Sequence, residues 1–134
     1  MSAAEEAGLG VAPFDELSSC GQVAGPDCSL LTQPSQAIAS ALSKVDGVSQ
    51  SDISLYEINE AFAAVAAASI DELGISFDDV NVNGGAVALG HPIGASGNRL
   101  VLTLAHELRR RGGGIGAAAL CGGGGQGDAL IIRV

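Results

Sequence analysis

Residues 80–97 read Val-Asn-Val-Asn-Gly-Gly-Ala-Val-Ala-Leu-Gly-His-Pro-Ile-Gly-Ala-Ser-Gly, and this segment gives the clearest indication of the fold class. Its first three residues alternate apolar and polar side chains as a short strand does, and a glycine-rich loop follows. Beyond the loop, Leu100, Leu104 and Leu108 recur at helical spacing within a helix predicted from about Ala95 to Arg111. A strand, a glycine loop and a helix in this order indicate one unit of an α/β sheet.

The same alternation of strands and helices extends outward in both directions. Helical spacing recurs over Ile38–Val45 and Phe62–Leu73, and each run ends shortly before a glycine. A glycine-rich turn at residues 122–127 separates the last two strands, which are predicted to form a hairpin. Strand patterns lie at Ile53–Glu57, Ile115–Leu120 and Ala129–Val134, with a weaker one near Glu16–Val23. We therefore predict an α/β fold with a mixed five-stranded sheet and helices on both faces.

Composition and charge narrow the class of protein. At 134 residues the chain has the length of one domain, and its 47% hydrophobic and 16% charged residues are typical of a globular protein. A formal charge of −9 argues against nucleic acid as a partner. No apolar run is long enough to cross a membrane, and the first residues do not form a secretory signal. We therefore expect a cytoplasmic protein with no membrane partner.

Neither a nucleotide cofactor nor a metal is indicated by the sequence. A Walker loop requires a lysine, but Lys44 is the only one and lies far from both glycine loops. A dinucleotide-binding loop requires the spacing G-x-G-x-x-G, which residues 90–97 do not have. Cys20, Cys28 and Cys121 lack metal-ligand spacing and are expected to be free thiols.

Three residues that could carry chemistry follow predicted strands, whose carboxyl ends form the ligand crevice of an open α/β sheet. His91 could be an acid or base near neutral pH, or a loop histidine without a task. Cys121, which directly precedes the glycine-rich turn Gly122–Gly127, could serve in proton transfer or pack as a small apolar residue. Asn59 is most simply a helix N-cap, and it could instead orient a water or donate to a carbonyl. His106, on the arginine-rich helix, is expected to have no catalytic task.

Three motifs bring these residues into one pattern. They are Asn59-Glu60-Ala61-Phe62-Ala63, then Asn81-Val82-Asn83-Gly84-Gly85 running to Gly90-His91-Pro92-Ile93-Gly94-Ala95-Ser96-Gly97, and Cys121-Gly122-Gly123-Gly124-Gly125-Gln126-Gly127. Together they resemble the C-terminal domain of thiolases. The related ketoacyl synthases have a similar histidine loop, whereas the cysteine–glycine motif points to thiolases. By this resemblance residues 26–134 are the thiolase C-terminal domain, and residues 1–25 are a remnant of the preceding domain with the strand that leads into this one.

The resemblance implies an acyl-CoA C-acyltransferase of fatty acid metabolism. Such enzymes join two acyl-CoA molecules by Claisen condensation or cleave a 3-ketoacyl-CoA with CoA. His91 would deprotonate the nucleophilic thiol, and Cys121 would exchange the proton on the α-carbon of the second acyl group. Asn59, through a held water, and His91 would stabilise the enolate oxygen, and the Gly123 amide would belong to a second oxyanion hole. Coenzyme A thioesters would be the substrates, with no cofactor and no metal.

In thiolases a different cysteine, in the N-terminal domain, carries the acyl group, and an inserted loop domain supplies much of the CoA binding. The sequence contains no counterpart to either, so we expect the chain to need an N-terminal thiolase part for turnover. We also expect a homo-oligomer, or instability of the chain alone. The alternative is a non-catalytic acyl-CoA-binding or interaction module with a thiolase fold. A generic α/β ligand-binding domain would leave both glycine motifs unexplained.

Overall fold

The computed structural model describes residues 5, 8, 9 and 15–134, and this range contains both strands and helices. Much of the predicted segment 1–25 lies outside the described residues. The strand and helix predictions are confirmed at seven elements, including the weak first strand, and a short helix at Ala86–Leu89 was not predicted. In chain order the elements are β1 (Glu16–Ala24), α1 (Gln33–Leu42), β2 (Ile53–Ile58), α2 (Ala63–Leu73), α3 (Ala86–Leu89), α4 (Ile93–Arg110), β3 (Ile115–Gly122) and β4 (Gln126–Arg133).

The strands form one mixed sheet in the order β1-β4-β3-β2. β2 and β3 run parallel, whereas β4 is antiparallel to both of its neighbours. β3 and β4 are consecutive and pair from Ile115 with Arg133 to Gly122 with Gln126, so the predicted hairpin is confirmed. β1, far away in sequence, closes the other side of β4 and leaves β2 and β1 at the two edges of the sheet.

The sheet has four strands within the described residues, and the prediction of five is wrong. Val80 makes one parallel bridge to Tyr56 and the ladder goes no further. The next residue, Asn81, has a φ of +50°, which turns the chain away from the strand direction. The Asn81 side chain takes the place of a longer strand: its Oδ1 accepts from the Ile58 N–H at 2.9 Å, and its Nδ2 donates to the Ile58 carbonyl at 2.8 Å.

Helices cover both faces of the sheet, as predicted. On one face, α1 packs on β1, β3 and β4, and α2 packs beside α1. On the other face, α4 packs on β2 and β3 through Leu100, Leu104 and Leu108, which are at most 1% exposed. The small side chains of β3, Ala117–Ala119, alternate between the two apolar cores and let helices approach both faces.

Helix α1 packs closely against β1. A Cβ on Gly21 would collide with the Ala37 carbonyl and the Ala41 backbone, so only glycine allows this packing. α4 is the longest described helix at 18 residues. No helix in the described part of the chain is long and apolar enough to cross a lipid bilayer.

Candidate active site

Asn59 follows β2 directly and is completely buried. Its backbone N–H donates to the Ala119 carbonyl of β3 at 2.9 Å, so its main chain continues the sheet pairing. Helix α2 begins only at Ala63, after Phe62 in the capping position. The N-cap role for Asn59 is therefore wrong, because three residues separate it from the helix. Its side chain is left for another task.

His91 is exposed and lies between α3 and α4. The preceding Gly90 has a φ of +94°, a conformation that favours glycine, and it ends α3. Pro92 follows and takes the N-cap position of α4. The His91 backbone is therefore held between a short helix that precedes it in the chain and a long helix that follows it.

Two hydrogen bonds orient the His91 ring. Its Nδ1 lies 2.6 Å from the Ser96 Oγ, and its Nε2 lies 3.4 Å from the Asn59 Nδ2. The Ser96 hydroxyl donates its single proton to the Pro92 carbonyl at 3.1 Å, so its lone pair is available to a ring N–H. From this network we assign the proton of neutral His91 to Nδ1. The Nε2 lone pair then faces the Asn59 amide, where it can act as a base.

Ser96 is completely buried and was missed as a functional residue by sequence reasoning. The available signal was its position, four residues after Pro92 in the first turn of α4, from which a serine can bond back to a carbonyl. Nothing in the sequence indicates that the same hydroxyl reaches the ring of His91.

The Asn59 side chain has one satisfied end and one unsatisfied end. Its Nδ2 faces His91, while its buried Oδ1 has no hydrogen-bond partner among the described residues. An unpaired buried acceptor costs about 1–3 kcal/mol, so such atoms are rare away from sites with a function.

Cys121 lies near the carboxyl end of β3 and is half-buried. β2 and β3 are parallel and Ile58 pairs with Ala119, so Asn59 and Cys121 lie at the same end of these two strands. Burial raises the pKa of the Cys121 thiol, against a smaller lowering by a backbone hydrogen bond. The thiol is consequently protonated at neutral pH, the form that can deliver a proton.

The glycine turn after Cys121 packs against the loop between β1 and α1. Gly125 has a φ of +74°, and a Cβ there would collide with the Asp27 carbonyl. The Gly25 N–H donates to the Gly125 carbonyl at 2.9 Å. Gly123 differs, because a Cβ built on it meets no atom within 4 Å. Packing therefore accounts for the glycine at 125 and not for the glycine at 123.

An ion pair with a buried carboxylate joins β2 to α4. Glu57, two residues before Asn59, is 2% exposed, and its Oε2 lies 3.4 Å from the Arg99 Nη1. Burial raises the Glu57 pKa to about 7, although the Arg99 guanidinium opposes the shift. Arg99 keeps two buried nitrogens, Nε and Nη2, without partners among residues 15–134. The pair is therefore only partly compensated for its removal from water.

The other predicted thiols and the second histidine lie elsewhere. Cys20 is exposed on the edge strand β1, and Cys28 is exposed in the loop that follows it. His106 is exposed on α4, ten residues and about 15 Å beyond Ser96 along the helix axis. Across the described ranges, no three His, Cys, Asp or Glu side chains come together to hold a metal ion. The structure thus brings Asn59 and His91 into contact, and Cys121 lies at the same end of the parallel strands.

Comparison with known proteins decides the family. The model of the family described as "Thiolase, C-terminal domain" matches residues 11–134. The chain belongs to the thiolases. A probable acetyl-CoA acetyltransferase of Mycobacterium tuberculosis (strain ATCC 25618 / H37Rv) is 57% identical over 125 residues, which are 93% of this chain and 32% of the relative. The acetyl-CoA acetyltransferase of Schizosaccharomyces pombe is 44% identical over 133 residues, 99% of this chain and 33% of that protein.

The fold of this thiolase domain also matches a solved structure. The crystal structure of the Bacillus anthracis acetyl-CoA acetyltransferase superimposes with a TM-score of 0.93 at 43% sequence identity. The match covers 99% of this chain and 34% of that one. The thiolase domain therefore spans about a third of the length of the relatives that it matches.

Proposed function

We propose that this thiolase domain is the C-terminal catalytic part of an acyl-CoA C-acyltransferase. In this proposal it takes part in Claisen condensation of acetyl-CoA or in CoA-dependent cleavage of a 3-ketoacyl-CoA. The observation that carries the proposal is the contact between the Asn59 amide and the His91 Nε2, together with the buried, unpaired Asn59 Oδ1. A water held by this Oδ1, together with the Nε2–H that His91 carries once it has taken a proton, would place two hydrogen-bond donors at a developing enolate oxygen.

Each residue then has a defined role. The Nε2 lone pair of His91 takes the proton of a nucleophilic thiol. Cys121 exchanges the proton on the α-carbon of the second acyl group; its raised pKa makes its thiolate a strong base once formed. Asn59 holds a water through Oδ1, and this water and His91 stabilise the enolate. The Gly123 amide, in the open part of the turn, belongs to the second oxyanion hole.

Turnover in this proposal requires an N-terminal thiolase part, supplied in cis or in trans. That part provides the cysteine that carries the acyl group. The relatives support this requirement, because each is about three times as long as the matched region. The substrates are CoA thioesters and no cofactor takes part. A cytoplasmic location and homo-oligomers complete the proposal; one relative, in Rattus norvegicus, is named a cytosolic acetyl-CoA acetyltransferase.

The experiment is α-proton exchange. The chain is incubated with acetyl-CoA in deuterated buffer, alone and with the N-terminal two thirds of the Mycobacterium tuberculosis relative, and deuterium uptake is followed by mass spectrometry. Uptake that Cys121→Ser and His91→Ala both abolish supports the proposal. His106→Ala and Cys20→Ser are matched controls and should leave uptake unchanged. Binding of acetyl-CoA with no uptake in either condition would overturn the catalytic role and favour the non-catalytic acyl-CoA-binding module.

A further inference from the structure

Glu60 is the immediate neighbour of Asn59, and both of its carboxylate oxygens are engaged by one loop. Oε1 accepts from the Asn81 Nδ2 at 2.9 Å, and Oε2 accepts from the Val87 N–H at 2.8 Å. The two donors are six residues apart on the segment that leads to His91. A single carboxylate therefore ties the end of β2 to two points of that segment.

Gly85 provides the space for this carboxylate. A Cβ on Gly85 would collide with the carboxyl carbon and both oxygens of Glu60. The φ of Gly85 is −101°, a value that any residue adopts, so its backbone conformation does not require glycine. Gly84 and Gly90 differ, with φ values of +93° and +94°. A side chain at position 85 would therefore have to displace the Glu60 carboxylate from its hydrogen bonds with Asn81 and Val87.

Glu60 also supplies the cap that α3 lacks locally. Gly85 occupies the N-cap position of α3 and has no side chain to bond the first N–H groups. The Glu60 carboxylate satisfies the Val87 N–H from across the fold, and its charge suits the N-terminal end of a helix. α3 has only four residues and would not be stable without such contacts.

The far end of α3 leads directly to the site. α3 ends at Gly90, and the next residue is His91, whose Nε2 contacts the Asn59 Nδ2. Asn59 and His91 are 32 residues apart in sequence. Glu60 follows Asn59, and Val87 lies four residues before His91. The hydrogen bond between Glu60 and Val87 therefore connects the two segments that carry Asn59 and His91.

We propose that Glu60 is a positioning residue that, seated against Gly85, sets the distance between Asn59 and His91. The proposal rests on the proposed function for the catalytic roles of those two residues. Glu60 itself touches no reacting atom. It acts through α3, because it holds the N-terminal turn of this helix and His91 follows the C-terminal end.

Nuclear magnetic resonance of the chain itself tests the proposal without needing turnover. Spectra are recorded for Glu60→Gln, Glu60→Ala and Gly85→Ala, with Glu16→Gln on β1 as the matched control. We expect shifts of the Val87 amide, the Asn59 side-chain amide and the His91 ring nitrogens, largest in Glu60→Ala and absent in the control. Glu60→Gln should be intermediate, because the amide can accept from Val87 but presents a donor to Asn81.

A double-mutant cycle separates positioning from general stability. Gly85→Ala should destabilise the chain when Glu60 is present and be nearly neutral in the Glu60→Ala background, where the obstructing carboxylate is gone. With the N-terminal part added, Glu60→Ala should lower kcat about tenfold or more with little change in KM, because misplaced catalytic groups reduce rate rather than binding.

The outcomes divide cleanly. Unchanged His91 and Asn59 signals in Glu60→Ala and Gly85→Ala, with only stability lowered, would overturn the positioning role. If Glu60→Ala does not fold, Glu60→Gln and Gly85→Ala decide by the same signals. The signals could instead shift in the variants while the unaltered chain, with the N-terminal part added, neither exchanges protons nor turns over. That result would establish the positioning of Asn59 and His91 and overturn the proposed function.

Discussion

The Ser96 Oγ lies 2.6 Å from the Nδ1 of His91 and also donates to the Pro92 carbonyl, so one buried hydroxyl links the ring of His91 to the first turn of α4. This link fixes which ring nitrogen carries the proton. It also places the lone pair of the other nitrogen toward Asn59.

Replacing Ser96 with alanine should therefore disturb the His91 tautomer. Without the Oγ acceptor, Nδ1–H loses its partner and the ring populates both tautomers. Ring nitrogen shifts measured by NMR should move, and α-proton exchange in the reconstituted protein should fall about tenfold, the value of one hydrogen bond.

Ser69→Ala is the control for that change. Ser69 is equally buried, and its Oγ donates to the Leu31 carbonyl at 3.1 Å, away from the site. Both variants should lose about 1 kcal/mol of stability. Ring nitrogen shifts identical in Ser96→Ala and in the unaltered chain would contradict the tautomer assignment.

Glu57 should make the chain less stable as pH rises from about 4.5 to about 7. Burial raises its folded-state pKa to about 7, so the folded state binds the proton more tightly than the unfolded state. The shift is equivalent to about 3 kcal/mol of unfolding free energy across that window. Urea unfolding measured from pH 4 to pH 8 should show this loss, and Glu57→Gln should remove it. Glu16→Gln, on the exposed end of β1, should keep the slope; a slope that survives in Glu57→Gln would assign it to another group.

Glu107 should have the opposite influence on the pH dependence of stability, and this influence should appear at acid pH. Hydrogen bonds from Arg110, Arg111 and Asn83 lower its pKa to about 2. Its stabilising contribution is therefore complete above about pH 4.5 and is lost as pH falls toward 2. We expect Glu107→Gln to be less stable than the unaltered chain at pH 7, with the difference vanishing near pH 2. Thermal melts at both values check this, and a constant difference would contradict it.

Two glycines of the same turn should respond differently to alanine. Gly123→Ala has open space for its methyl group, so stability should change by no more than about 0.5 kcal/mol. Gly125→Ala would force a methyl group into the Asp27 carbonyl at a positive φ and should cost about 2 kcal/mol or more. Calorimetry of both variants tests the contrast. A stable Gly123→Ala protein that has lost turnover would place the defect in the site and not in the fold.

Predictions from sequence succeeded where one pattern controls one element. Leu100, Leu104 and Leu108 fall on the buried face of α4 because a helix repeats every 3.6 residues, and the glycine run after Cys121 does form a hairpin turn. The strand at Val80–Val82 failed because its local alternation carries no information about Asn81, whose side chain bonds Ile58. α3 was missed because four residues are too few to establish a period.

Some residues of the candidate site could likewise be predicted from the sequence, and others could not. The placement of Asn59 and Cys121 at the carboxyl ends of β2 and β3 could be predicted, because parallel strands present these ends on the same side of the sheet. The placement of His91 after a strand was wrong, since His91 follows the helix α3. The contributions of Ser96 and Glu60 could not be predicted, since each depends on a partner that only the folded chain brings near. The N-cap assumption for Asn59 failed for a related reason: the sequence does not show that its backbone still pairs with Ala119.

The two edges of the sheet differ in their openness to another strand. At the β2 edge, the Asn81 side chain occupies both backbone groups of Ile58, and its own N–H bonds the Tyr56 carbonyl, so the last part of that ladder is closed. At the opposite edge, β1 runs for nine residues with Leu17 largely exposed. In the part of the chain that the structure describes, no strand pairs with the outer side of β1. Unpaired edge strands are where chains add to one another and aggregate. Sheet growth between copies of this domain would therefore begin at β1, remote from the catalytic corner that Asn81 seals.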